Sequence, residues 1–478
     1  MARTGAAYLE GLRDHREVWL GAKRVQDVTT HPALAGACRK MAEYYDLHHA
    51  AAASCLMPNP HTAELMSVSH IIPRSPADLA KRRACLERIA EWSLGMLGRT
   101  PDYVNVSIAG FAGRADVWGS HGNDEGAANL IAYHQEVARR DVALTHALVH
   151  PTVDKRVPDV YAGGGDLALH KVEDTEHGIL VRGARLLATL APFADEIAIY
   201  PGQPIPKEAH RYALAFALPI HTPGLKFICR DSYSVPGHAY DHPFSSRFDE
   251  QDAFVIFDNV EIPRHRVFIS GDADLYNRAL TSGWVPNIMQ QTTIRALVKL
   301  EFAYELATKM VQAIGGENPS STEQLGEMWT YAELTRSALR AAETDAYEWG
   351  NGVWFCDDRP FRALRPTLPR WFARVNEIIK ALGAHSLLTT PTTAQLAQPE
   401  LAPLLDYYLQ GANDMDAATR SRIFRLAWDF TGSALGSRME LYERFYLASS
   451  PRTYQLAHFT AQKEGTRGLL ERFLATES

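Results

Sequence analysis

Cysteine is scarce and scattered: the 478 residues hold five, Cys38, Cys55, Cys85, Cys229 and Cys356, with no C-x-x-C spacing. An odd number at irregular spacing excludes a disulfide frame and a cysteine-built zinc site, and it fits reduced thiols in a cytosol. Runs of one charge are also missing. The net charge of -7 comes from interspersed signs without a basic stretch, which argues against nucleic acid or an anionic membrane as partner. No apolar window approaches the length needed to cross a bilayer. Near the start, Arg3, Glu10, Arg13, Asp14, Arg16 and Glu17 interrupt any signal-peptide core. The expectation is a cytoplasmic protein that meets no membrane.

Common catalytic fingerprints are absent as well. There is no G-x-G-x-x-G after a strand, no P-loop, no H-E-x-x-H and no G-x-S-x-G. A nucleotide cofactor would therefore be held without a Rossmann unit. The 19 histidines include the neighbours His48 and His49 and the isolated His121, His134, His210 and His221. None has the spacing to Asp, Glu or Cys that builds a metal centre, so no metal is expected. Gly163-Gly164-Gly165 reads as a turn rather than a phosphate cradle.

What is present is a large amount of core-forming sequence, 46% hydrophobic against 22% charged, enough for two or three domains or layers. Periodicity changes twice along the chain. Up to about Arg140 it is helical, as over Ala77 to Leu97 and Gly126 to Arg140. From Pro151 to Gly271 short β runs take over: Gly178 to Thr189, Tyr212 to Pro219, Leu225 to Arg230 and Ala253 to Ile262, separated by Pro, Gly and Asp. The helical period then returns. Leu297, Leu300, Tyr304, Ala307, Val311 and Ile314 form one stripe ended by Gly315-Gly316, followed by helices over Glu323 to Trp349, Pro369 to Leu382 and Ala417 to Tyr446. The fold class is mainly α with a central antiparallel β domain. Its expected parts are an N-terminal α domain over 1–148, the β domain over 149–272, and a C-terminal helix bundle with an oligomerisation tail over 273–478.

One segment combines charge with a helix start. In Gly98-Arg99-Thr100-Pro101-Asp102-Tyr103, Thr100 suits the N-cap, Pro101 the first helical position and Asp102 the positive helix end. Arg99 would lie just outside the helix and Tyr103 in its first turn, so a fixed cation, backbone N–H groups and a hydroxyl would meet at a spot suited to an anion. A plain capped surface helix remains the alternative on these residues alone. His146 is singled out by position, where the α domain gives way to the β domain, a common place for a pocket. A structural histidine remains open there too.

These segments resemble the 4-hydroxyphenylacetate 3-hydroxylase family, oxygenase components of two-component, reduced-flavin-dependent aromatic hydroxylases. The resemblance runs nearly end to end. It rests on Arg24-Val25-Gln26-Asp27-Val28-Thr29-Thr30-His31-Pro32, Gly98 to Tyr103, His146, Gly183-Ala184-Arg185-Leu186-Leu187-Ala188-Thr189, Ser245-Ser246-Arg247-Phe248-Asp249-Glu250, Phe257 to Pro263, and Gly432 to Glu443. It implies an acyl-CoA dehydrogenase-like fold with an N-terminal α domain, a middle antiparallel β domain and a C-terminal four-helix bundle, assembled as a homotetramer. It also implies FAD used as FADH2, O2 as co-substrate, and a separate NAD(P)H:flavin reductase. The implied chemistry is hydroxylation ortho to a phenol hydroxyl through a C4a-hydroperoxide.

Carried over by position, the phenol-binding residues are Arg99, Tyr103 and His146. The chemistry agrees, because electrophilic oxygen transfer is faster to a phenolate than to a phenol. Flavin contacts fall on Pro151, Asp154, Lys155, Arg156 and Thr189, joined by Gln291, Tyr446 and Ser449. Phe445-Tyr446-Leu447-Ala448-Ser449-Ser450 lacks the glycine the resemblance calls for. Gln291 stands where chlorophenol-hydroxylating relatives carry histidine; a capping role at a helix start is its alternative. The Pro-rich segment Pro201 to His210 is expected to be a mobile loop that selects the para-substituent.

Halophenol-type hydroxylation or dehalogenation and tailoring of a tyrosine-derived natural product are the neighbouring alternatives. The related 4-hydroxybutyryl-CoA dehydratase holds an iron-sulfur cluster, but its ligand positions fall here on Arg99, Tyr103, Gln291 and Val298, which cannot bind one. An acyl-CoA dehydrogenase would need a glutamate base and a CoA groove that are not evident.

Overall fold

A computed structural model describes residues 2–476. They form two compact units, one running to Lys299 and including Glu343–Cys356, the other made of Leu300–Ala342 and the chain from Asp357 onward. Among the described residues no helix is long and apolar enough to cross a membrane.

The first unit combines helices with two main sheets. Its helices Ala35–Ala50, Pro76–Ser93, Pro101–Gly113 and Asp124–Arg140 match the helical period of the first third. The Pro76–Ser93 helix stops short of Leu97 because Leu94 and Gly95 turn left-handed, with φ of 54° and 64°. Glycine is required at 95: a Cβ there would lie 2.5 Å from the Arg295 carbonyl oxygen.

The strands Gly178–Thr189, Leu214–Pro219, Leu225–Cys229 and Asp252–Pro263 follow the β runs of the sequence closely. The β region is not self-contained, however. In the six-stranded sheet Glu17–Leu20 pairs in parallel with Leu225–Cys229. In the four-stranded sheet Leu144–His146 pairs in parallel with Glu196–Ile199. Each sheet thus takes a strand from the N-terminal third, and these strands are too short to show a period.

The second unit is helical. Pro319–Thr344 ends earlier than the expected Trp349, since Tyr347–Gly350 forms a hairpin with Val353–Phe355. The helix expected from Pro369 begins at Asp358 and runs through Pro366 and Pro369. Each proline removes a helical hydrogen bond, and the buried face of Phe361, Leu364, Leu368 and Phe372 offsets that loss. The span Ala417 to Tyr446 is two helices, Ala417–Thr431 and Ala434–Phe445. The break falls at Gly432-Ser433, where the Ser433 hydroxyl caps the second helix through the Gly436 N–H.

Candidate functional site

The Pro101–Gly113 helix is buried along its whole length, so Arg99 and Tyr103 are not on an ordinary surface helix. Pro101 takes the first helical position as expected. Thr100 stands at the N-cap but its side chain makes no capping bond. Asp102 is buried and accepts a 2.9 Å hydrogen bond from Gln291. Burial pushes its carboxyl above the ordinary range, opposed by hydrogen bonds from Thr100 and Gln291. Gln291 is therefore no cap: it lies inside the Trp284–Ala313 helix and faces Asp102.

Arg99, Tyr103 and His146 come together. The Arg99 backbone N–H donates to the buried Glu250 carboxylate at 2.7 Å, and its Nε donates to His146 Nε2 at 3.1 Å. The guanidinium carbon sits 4.0 Å from the centre of the Tyr103 ring, a cation–π contact. The Tyr103 and His146 rings meet edge to face at 5.3 Å. Burial first, and the Arg99 charge second, hold His146 far below the ordinary imidazole range. The site thus holds a permanent cation and a neutral imidazole.

Three residues that the sequence reading passed over complete this cluster. Tyr200 bonds His146 Nδ1 through its hydroxyl and is itself buried. Its ring packs against Phe111 at 5.1 Å and Trp284 at 5.7 Å. Trp284 is fixed by a 3.1 Å bond to the Ser107 hydroxyl. Glu250 lies in a quoted motif, but nothing local points it at Arg99. Beyond Tyr200, the Pro201 to His210 segment is anchored: the Asn277 side-chain amide accepts from the Ile205 N–H and donates to the Ile205 carbonyl, both at 2.9 Å.

The positions expected at the cofactor are more dispersed. Pro151 is buried, whereas Lys155 is exposed and Arg156 extends into solvent, paired with Asp154 at 2.8 Å. Thr189 is buried; its hydroxyl donates to Asp252 at 2.8 Å and its carbonyl accepts from Thr145 at 2.6 Å. Tyr446 and Ser449 belong to the second unit. Ser449 lines a cleft of about 700 Å³ with Arg370, Arg374, Lys380 and Phe445.

A further polar group includes His150, which directly precedes Pro151 in the chain. Arg185, fully buried, donates through Nη1 to the Leu148 carbonyl at 2.9 Å and meets His150 Nε2 at 3.1 Å. Its Nε and Nη2, and His150 Nδ1, have no protein partner. Burial and the adjacent Arg185 drive the His150 pKa down to about 2. Buried donors of this kind call for an acceptor.

An α–β–α chain with a half-buried cation beside a buried phenol and imidazole at the junction of helix and sheet has a specific set of relatives. Residues 4–269 match the model described as 4-hydroxyphenylacetate 3-hydroxylase N terminal, and residues 279–475 match its C-terminal counterpart. The chain belongs to the 4-hydroxyphenylacetate 3-hydroxylase family. It is 37% identical over 477 residues to the 4-hydroxyphenylacetate 3-monooxygenase oxygenase component of Thermus thermophilus, covering 99% of this chain and 98% of that one. It is 33% identical to the 4-nitrophenol 2-monooxygenase oxygenase component of a Rhodococcus species, covering 93% and 85%. The crystal structure of a 4-hydroxyphenylacetate 3-monooxygenase oxygenase component with FAD and 4-hydroxyphenylacetate superimposes with a TM-score of 0.94 at 36% identity, covering both chains completely.

Proposed function

We propose that this protein is the oxygenase component of a two-component aromatic hydroxylase. It takes FADH2 from a separate reductase, uses O2, and places one oxygen atom ortho to the hydroxyl of a phenol of the 4-hydroxyphenylacetate type. The observation that carries this reading is the Arg99–His146–Tyr103 cluster, in which Tyr103 and His146 are buried and Arg99 is half-buried. Arg99 supplies a charge that favours phenolate, neutral His146 holds that guanidinium through Nε2, and Tyr103 orients the ring oxygen. Burial keeps bulk water from competing for the phenolate.

The residues present fit FAD. Arg185 and His150 offer unpartnered buried nitrogens next to Pro151. Thr189, although bonded to Asp252, keeps acceptor capacity on its oxygen. Lys155 and the solvent-facing Arg156 suit a diphosphate, and exchanging the exposed Asp154 pair for it costs little. Gln291 would act through Asp102. When bound and reduced, the flavin supplies activated oxygen.

Assembly as a homotetramer is supported by exposed apolar residues on the last two helices, including Phe459, Leu470 and Phe473, which a second copy would cover. A cytoplasmic setting is supported by five buried free cysteines. The test supplies reduced FAD from any flavin reductase and follows a panel of 4-substituted phenols by mass spectrometry under isotopically labelled O2. Incorporation of one labelled atom into a catechol is expected. Flavin oxidation without product from any phenol, together with no phenol binding, refutes the reading.

A further inference from the structure

We infer that Tyr200 is the positioning residue that fixes the tautomer of His146 and so makes its Nε2 the acceptor that holds the Arg99 guanidinium against the phenol oxygen. The inference rests on the function proposed above. Its geometry stands on its own.

Arg99 Nε carries a hydrogen and can only donate, so His146 Nε2, 3.1 Å away, must be the accepting nitrogen. A neutral imidazole then carries its proton on Nδ1. That proton points to the Tyr200 hydroxyl oxygen, which accepts it. Tyr200 reaches this place because His146 pairs in register with Ala198 in the parallel ladder, and residue 200 follows 198 by one strand period. Phe111 and Trp284 pin its ring. Arg99, Tyr103 and Tyr200 are the charged or titratable groups placed against the imidazole among the described residues.

The one lone pair of His146 Nε2 is taken by the Arg99 Nε–H, so the imidazole holds the guanidinium in place and the phenol binds beside it as phenolate, its proton released to solvent. The imidazole stays neutral and keeps its Nδ1–H on Tyr200. Without the Tyr200 oxygen, the Nδ1–H is a buried donor with no partner. The other tautomer sets an Nε2–H against the Arg99 N–H, donor facing donor. Both routes penalise the form of His146 that accepts from Arg99, and so loosen the guanidinium. Tyr200 also directly precedes the Pro201 to His210 segment, so the group that holds the imidazole is covalently continuous with the loop expected to read the far end of the substrate.

Tyr200→Phe keeps the ring and its packing and removes only the oxygen. The experiment binds 4-nitrophenol, whose phenolate absorbs visible light, to the full chain loaded anaerobically with reduced FAD, and reads the bound phenolate band across pH. The wild type should hold the phenol with an apparent pKa below that of the free compound. The variant should raise that value by about one unit, a tenfold loss of phenolate below it. Identical values in the two proteins overturn the role of Tyr200 while leaving the proposed function standing. Absence of binding to the wild type by 4-nitrophenol and by every other phenol of the panel overturns both.

Discussion

Arg99→Met tests the electrostatic core of the site most directly. The substitution removes the guanidinium but keeps the backbone N–H that bonds Glu250 at 2.7 Å, so the segment stays anchored. In the native protein the guanidinium touches His146 at 3.1 Å and lies over Tyr103, and a phenolate at this cluster would be its neighbour. Unit charges about 4 Å apart interact by about 4 kcal/mol at an effective dielectric of about 20. A neighbouring arginine lowers the pKa of an acid by roughly 1 to 3 units. Losing it should raise the bound phenol by that amount and cut hydroxylation near pH 7 roughly 10- to 1000-fold. FADH2 oxidation should continue, so H2O2 replaces catechol. The sign with pH is defined: the variant recovers as pH rises through the raised phenol pKa, because solvent then supplies the phenolate that Arg99 no longer favours. The assay measures catechol and H2O2 per FADH2 oxidised across pH. An unchanged product yield, or a defect that stays constant as pH rises, refutes the charge argument.

Asp102→Asn addresses a buried carboxyl whose folded-state pKa is raised, chiefly by burial. Such a group stabilises the fold while protonated, and that contribution is lost as pH climbs from the ordinary carboxyl value through the raised one. The variant should therefore gain stability relative to wild type over that climb, measured by urea unfolding at several pH values. A constant difference contradicts the assignment. Gly95→Ala places a Cβ 2.5 Å from the Arg295 carbonyl at a φ of 64°. It should destabilise by more than about 1 kcal/mol and lower the melting temperature, with activity falling because the turn precedes Arg99.

Local chemistry was legible where a residue's neighbours in sequence are also its structural context. Pro101 marks the first helical residue, Gly315 closes its helix, and the strand Gly178–Thr189 has the bounds that its composition suggests. The break at Gly432-Ser433 and the hairpin after Thr344 are local, a cap and a tight turn inside stretches whose helical period runs on. The helix through Pro366 and Pro369 and the three-residue strand Leu144–His146 depend on packing partners far away in the chain. Propensity is a weak prior when such partners decide.

The chain by itself determined the types of group available: a permanent cation and a phenol at one helix start, an imidazole at a strand, and an order of motifs particular enough to indicate the family. Period and cap chemistry are short-range properties, so they survive in the linear text. Tertiary structure decided how those groups act. The bond from Arg99 to Glu250 spans 151 residues, from Arg99 to His146 47, and from His146 to Tyr200 54. Only packing brings them within hydrogen-bond reach, buries His146 so that it stays neutral, aims its proton at Tyr200, and leaves Nε2 to accept from Arg99.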